Sequence, residues 1–360
     1  MAENVAEQKC PNCDGVMHYD PEKKLLVCEY CGTEMDIKKA TASKPKEIAE
    51  GFDFASLNDQ ATDINAQALP VYNCESCAAE LIAPPEQMAL TCPYCGNNIV
   101  LTDKASGALR PNAVIPFQFD KQKLPEAVRK FCKPRVLLPK DFFSDEKLNN
   151  LTGVYVPFWV FSGKVSGQMR YLGTKSSSYR SGDYMIHEHS EYDVVRDVDM
   201  SFDALPVDAS GKIDDKLMDS LEPFHTNEAV PFDMRYLAGF TADRFDEKKG
   251  SIAQRAKKRM FSTAYSLTEK QAGAGYSRIK KNGGTLRTDI DAKYMLLPVY
   301  LFDLSHNGKT YHFAVNGQTG KIVGDVPIDA GRSAKFFFIR CGIVFGVLMI
   351  WFWTKYLCGY

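Results

Sequence analysis

The chain has 360 residues, enough for two or three folded units, and 44 basic against 45 acidic side chains leave a formal net charge of −1. That balance excludes a chain-wide basic footprint for nucleic acid. An aromatic content of 12% argues for a substantial core and against a disordered scaffold.

The chain begins Met1-Ala2-Glu3-Asn4-Val5-Ala6-Glu7, with no basic start and no apolar stretch, so no signal peptide is read there. A reducing compartment is therefore expected, where cysteines bind metal more often than they form disulfides. Two quartets of identical spacing follow. Cys10, Cys13, Cys28 and Cys31 form the first; Cys74, Cys77, Cys92 and Cys95 form the second. Each C-x-x-C turn supplies two thiolates at the bite a tetrahedral zinc ion requires, and the intervening residues suit a short hairpin. Gly32 and Gly96 each follow the last cysteine, where a knuckle often needs a positive φ. We read two zinc ribbons, 1–36 and 70–102, each with one structural Zn²⁺ and each too small to fold without it. Eight bound thiolates and two Zn²⁺ would take the net charge to about −5. Residues 37–69 are polar, with Phe52 and Phe54 the large apolar exceptions, and read as a linker that lets each ribbon unfold alone.

Residues 103–330 read as an α+β body with an internal repeat. Ala113-Val114-Ile115-Pro116-Phe117 resembles Ala229-Val230-Pro231-Phe232, and Val156-Pro157-Phe158-Trp159-Val160-Phe161 resembles Leu297-Pro298-Val299-Tyr300-Leu301-Phe302. Helices are expected over Leu124–Phe131, Met234–Phe245 and 246–272. Turns are expected at Ser162-Gly163-Lys164, Asn282-Gly283-Gly284, Asn307-Gly308 and Asn316–Gly320, and a mobile Ser/Gly-rich loop over Tyr171–Asp183.

Phe336–Leu357 carries two charges, Arg340 and Lys355, with aromatic residues at both ends. At the helical rise it spans about 33 Å, which suits one transmembrane helix. Arg332, Lys335 and Arg340 against Lys355 place the N-terminal bulk in the cytoplasm. Of the three remaining cysteines, Cys341 and Cys358 lie in or beside this span, and Cys132 lies in the body.

No specific catalytic constellation is present, so an enzyme is not expected. His187, His189, Glu191 and Asp193 would share one face of a strand and could bind a metal, although a solvated hairpin face explains them as well. Arg255, Lys257, Lys258 and Arg259 could meet a phosphate backbone or an anionic surface, or form the wet side of a helix.

Further blocks are Gly153–Trp159, Leu205–Ser210, Tyr236–Phe240 and Val315–Lys321. With the two quartets, they make the layout resemble a bacterial family of membrane-anchored proteins with TFIIB-type zinc ribbons. The resemblance covers nearly all of the chain. It implies a cell-membrane protein that helps to place cytosolic partners, of the SPFH or phage-shock types, at the membrane. The expectation is therefore a scaffold held in the membrane by its C-terminal helix. A membrane-held zinc-ribbon nucleic-acid binder is the alternative.

Overall fold

The computed structural model describes residues 5–6, 10–13, 15–37, 71–73, 80–82, 87–91, 98–101, 110–139, 142–143, 153–247 and 249–358. The expected linker and all four cysteines of the second quartet lie outside the described residues, apart from Ile37. In chain order, β1 (Val5–Ala6) precedes a three-stranded ribbon of β2 (Met17–Asp20), β3 (Leu25–Cys28) and β4 (Glu34–Met35). Next come a small hairpin, β5 (Val71–Asn73) and β6 (Glu80–Ile82), and a second, β7 (Gln87–Thr91) and β8 (Asn98–Leu101). The body opens with β9 (Ala113–Val114), α1 (Leu124–Cys132), β10 (Gly153–Ser181), β11 (Tyr184–Asp208) and α2 (Asp215–Ser220). It continues through β12 (Val230–Pro231), β13 (Thr241–Asp243), α3 (Lys249–Ala272), β14 (Arg278–His306), β15 (Lys309–Asn316) and β16 (Ile322–Gly324) to α4 (Ala330–Cys358). The fold class is α+β, as the sequence indicated, with a cysteine cluster at the N-terminal end and an apolar helix at the other.

The main sheet is built on β10 and β14, antiparallel neighbours paired from Gly153↔Tyr300 to Thr174↔Arg278. Both strands are apolar on two faces where they cross the core. Tyr155, Trp159 and Phe161 point one way, and Val156, Phe158 and Val160 point the other. A run without polar alternation is what a strand covered on both sides requires. On one face α3 lies along the sheet through Ile252, Ala256, Met260, Ala264 and Ala272, a stripe at helical spacing whose alanines allow close approach. Met218, Leu221 and Phe224 cover the other face.

The pairing exposes a two-fold repeat. Placing Pro157 on Pro298 carries Val154 and Tyr155 onto Met295 and Leu296. The first pair takes Thr241 and Ala242 as parallel partners; the second takes Ala113 and Val114, also in parallel. Trp159 falls on Tyr300. The Trp159 ring packs on Phe245 with centroids 5.5 Å apart, and the Tyr300 ring packs on Phe117 at 4.9 Å. Each copy is thus a short strand, a helix and a hairpin, and each short strand is given to the other copy's long strand. The 156–161 and 297–302 blocks are equivalent, as expected. The 113–117 and 229–232 blocks are not: Val230 pairs with Val114 as a neighbour, and the true counterpart of Ala113–Val114 is Thr241–Ala242. The expected helix over Met234–Phe245 is likewise a 3-10 turn, Met234–Leu237, followed by β13.

Two glycine signals mark bulges and not turns. The β10–β11 register shifts between Phe161 and Gly163, and a Cβ on Gly163 would lie 2.3 Å from the Asp289 carbonyl oxygen. Gly284 has φ +118°, and a Cβ there would lie 2.4 Å from the Gln168 carbonyl oxygen, beside a second shift in the β10–β14 ladder. Bulges bend the strands without ending them. β10 and β11 therefore continue as one ladder to Ser181↔Tyr184, and the expected loop over Tyr171–Asp183 is ladder up to its last turn. From Gly163 outwards the hairpin extends about 60 Å. Val165, Met169, Tyr171, Val194 and Val198 are buried along its lower half; residues 175–181 are exposed.

The first ribbon is seated on this body. The Tyr19 amide donates to the Ala238 carbonyl at 3.1 Å, and its ring meets Tyr236 edge-on at 5.5 Å. Met17, Tyr19, Leu26 and Cys28 belong to the same buried cluster as Trp159 and Tyr300. Strand β7, from the second ribbon region, pairs with β13, and β8 carries β1 on its outer edge. The β2–β4 ribbon and the β7–β8 hairpin are therefore continuous with the body, whereas β5 and β6 form a sheet of their own; the expectation that each ribbon unfolds alone does not fit this packing.

Candidate metal centre

Cys10, Cys13, Cys28 and Cys31 come together at the end of the β2–β3 ribbon. The β-turn between the strands is fixed by Asp20, whose carboxylate accepts from the Glu22 and Lys23 amides at 2.9 and 3.1 Å. That hairpin returns Cys28 to the first knuckle. The second knuckle closes on Gly32, with φ +70° and a bond from its amide to the Cys28 carbonyl at 2.9 Å. L side chains rarely adopt that φ, so the glycine after the last cysteine does have the expected role.

The Cys10–Cys31, Cys13–Cys28 and Cys13–Cys31 sulfurs are 3.5, 3.4 and 3.3 Å apart, and all four lie within 4.8 Å of one another. The edge of a tetrahedron with metal–sulfur bonds of 2.3 Å is roughly 3.8 Å. The set therefore fits a four-thiolate cation site after an adjustment of a few tenths of an ångström. Cys10 and Cys28 are buried, whereas Cys13 and Cys31 face solvent.

The thiols compete for ionisation. Removal from solvent raises the Cys10 thiol, but the amides of Asn12 and Cys13, the Thr33 hydroxyl and the Cys31 thiol bring it down to about 6. The Gly15 backbone favours the Cys13 thiolate, yet the Cys31 and Cys28 thiols beside it push Cys13 up to about 12. Four sulfurs this close cannot all be thiolates unless a cation sits among them. Thr33 supplies outer support: its hydroxyl lies 3.0 Å from the Cys31 sulfur and accepts from Asn12 Nδ2 at 2.9 Å.

A second gathering of acidic groups is Asp208, Asp215 and Glu247. Its positive charge comes from the protein itself. The Arg255 guanidinium reaches Asp208 at 2.5 Å, Asp215 at 2.9 Å and Glu247 at 3.6 Å. Asp208 is fully buried and its Oδ2 has no hydrogen bond. Burial pushes its carboxyl up to about 6 against the lowering effect of Arg255. Arg259 is engaged similarly, with Asp219, Glu222 and the Pro206 carbonyl. Two of the four cations in the 255–259 cluster therefore tie α3 to the body; Lys257 and Lys258 remain at the surface. Sequence reading missed this role. The available signal was the acidic content of 214–222, which follows β11 directly.

The strand with His187 and His189 does present both on one face. His189 Nδ1 faces Ser176 Oγ at 2.8 Å and His187 Nδ1 faces Ser178 Oγ at 2.7 Å, each across the ladder. Among the described residues, these histidines are in neither of the two groups close enough to hold a metal.

At the other end of the chain, Ala330–Trp353 is long and apolar enough to cross a bilayer, and among the described residues none of its most apolar window is buried. The side chains from Phe336 to Trp353 are exposed throughout, with a single half-buried position at Gly346.

No protein-family model matches the chain, and no solved structure matches it. The chain is 36% identical over 335 residues to "Uncharacterized protein YdjG" of Bacillus subtilis (strain 168), covering 92% of this chain and 93% of that one.

Proposed function

The chain belongs to the family of Bacillus subtilis YdjG, and on that premise we propose that it is a tail-anchored zinc-ribbon scaffold that recruits cytosolic partner proteins to the bacterial cell membrane. The observation that carries this reading is the pairing, in one chain, of a four-cysteine centre with an exposed apolar helix. The four thiols take Zn²⁺, which prefers a tetrahedron of soft ligands. The second quartet, with the same spacing, takes a second ion. Helix α4 spans the membrane, with Arg332, Lys335 and Arg340 on the cytoplasmic side.

The chain acts as a binder and not as an enzyme. Its partners are cytosolic proteins of the SPFH or phage-shock types, an assignment that rests on the family resemblance. The knuckle of the first ribbon is a suitable contact point, because Tyr30 is 80% exposed between two metal-binding cysteines. Large aromatic side chains of this kind often anchor interfaces.

The test is a crosslinked pull-down of the full chain from membranes, alongside metal analysis. The wild type carries two zinc ions. Cys28→Ser carries one and releases the partner; Tyr30→Ala keeps both ions and still releases it. Retention of every partner by both variants rejects the first ribbon as the recruiting element. Membrane-held nucleic-acid binding, the second reading, wins if the intact protein binds DNA at nanomolar concentration with a steep salt dependence.

A further inference from the structure

The base of α4 is fastened to the body by the segment that follows α1. The Asp329 amide donates to the Leu137 carbonyl at 2.9 Å, and the Arg332 guanidinium donates to the Leu138 carbonyl. Asp329 also caps the helix, accepting from the Arg332 amide at 2.8 Å. The segment that follows α1 is therefore held against the first turn of the apolar helix. A bilayer that receives α4 brings its surface to that segment.

What the segment carries suits such a surface. Between residues 121 and 139 there are six cations, Lys121, Lys123, Arg129, Lys130, Lys133 and Arg135, and one acid, Glu126. Lys123 is paired with Glu22 of the first ribbon at 2.5 Å. Lys130 and Lys133 are exposed, and Arg135 lies flat over the Phe131 ring, 3.5 Å from its centre. Val136 is 63% exposed and Ile328, two residues before α4, is 69% exposed. Arg332 and Lys335 add two cations at the start of the helix. The base of the anchor is thus a collar of cations with two bare aliphatic side chains among them.

We propose that Arg129–Val136, with Ile328, Arg332 and Lys335, forms a membrane-contact surface that binds the anionic headgroups of the leaflet α4 enters. The proposal rests on the reading of α4 as a membrane anchor. Cations within a Debye length of an anionic leaflet are attracted to it, and a short aliphatic side chain can enter the headgroup boundary. The contact fixes the tilt of the body on the bilayer, because the collar and the anchor are joined by the Leu137 and Leu138 carbonyls.

Amide hydrogen exchange of the full chain, one copy per lipid nanodisc, tests this. Discs of phosphatidylcholine alone are compared with discs containing phosphatidylglycerol. Strong protection of 336–353 in both reports the anchor by itself. With the anchor protected, exchange over 129–138 should be about tenfold slower in the anionic discs, and high salt should erase the difference. Lys130→Glu with Lys133→Glu should return it to the phosphatidylcholine rate; both side chains are at the surface, so the fold is retained. Val136→Asp, which keeps all the cations, should reduce the slowing in part. Equal exchange over 129–138 in the two discs overturns the proposal while the anchor stands. Protection that appears only with two copies per disc assigns the face to a second chain and overturns it as well. An unprotected 336–353 removes the anchor itself, a different failure.

Discussion

The two copies of the body hold equivalent positions and use them differently. Asp208 pairs with Phe158 on β10, and Asn316 pairs with Val299 on β14; Phe158 and Val299 are equivalent. Both side chains are fully buried at the end of a hairpin, just before a Gly-Lys-Ile turn. Asn316 is a neutral staple. Its Nδ2 donates to the Leu221 and Pro223 carbonyls at 3.1 Å, and its Oδ1 accepts from the Gln318 and Thr319 amides at 2.9 and 3.0 Å. Asp208 is a buried charge held by Arg255 and left with one unsatisfied oxygen. The backbone position is fixed by the repeat, whereas the chemistry at it is set by what each copy packs beside it. Asp208 has α3 and its arginines beside it; Asn316 has the carbonyls that follow α2.

The comparison can be broken at its centre. Trp159→Ala and Tyr300→Ala remove equivalent, fully buried rings, and each should destabilise the chain by about 3–5 kcal/mol in chemical denaturation. A loss below about 1 kcal/mol for either would show that the two halves do not share the core equally.

Asn316→Asp should cost about 3 kcal/mol, because two donated bonds are lost and a carboxylate is placed against two carbonyls. The reciprocal Asp208→Asn should cost much less at pH 7. If the two exchanges cost the same, the difference between the copies is not electrostatic.

The pH dependence sharpens the same point. In the folded chain the Asp208 carboxyl is raised from 3.8 to about 6. The folded state therefore binds more protons than the unfolded state between about pH 4 and pH 6, and stability from this group is lost as pH rises through that window. Relative to Asp208→Asn, the wild type should lose up to about 3 kcal/mol between pH 4 and pH 7. A flat difference across the window would place the Asp208 carboxyl at its ordinary value. Glu222 and Glu247 are raised by burial as well, so the double comparison with the variant is needed to isolate Asp208.

What the sequence disclosed depended on how local the cause was. Metal-ligand spacing is local, and the first quartet closes as Cys10, Cys13, Cys28 and Cys31 suggest. The apolar stretch at Phe336–Leu357 is also local, and α4 contains it whole. The Pro157 and Pro298 blocks were legible because a strand covered on both faces needs an unbroken apolar run. By contrast, the pairing of Ala113–Val114 with the far strand β14 depends on contacts nearly two hundred residues apart, and a short block such as Ala229–Phe232 can mimic it. Gly163 and Gly283-Gly284 carry the composition of turns, yet Gly163 lies between β11 and β14 and Gly283-Gly284 pairs with β10, so the chain bulges and continues. The polar residues 174–181 have no apolar face to announce a strand. They are held by the ladder to 184–191, which continues from the buried half of the hairpin. The seating of the first ribbon was equally hidden, since the Tyr19 amide and Ala238 carbonyl carry no sequence signal.

The exchange of short strands between the copies makes each depend on the other. Ala113–Val114 completes the long strand of the second copy, and Thr241–Ala242 completes that of the first. Without the exchange, Val154–Tyr155 and Met295–Leu296 would lack their parallel partners, and each short strand would lose the long strand it lies against. Neither copy could therefore be removed without taking a strand from the other copy's sheet.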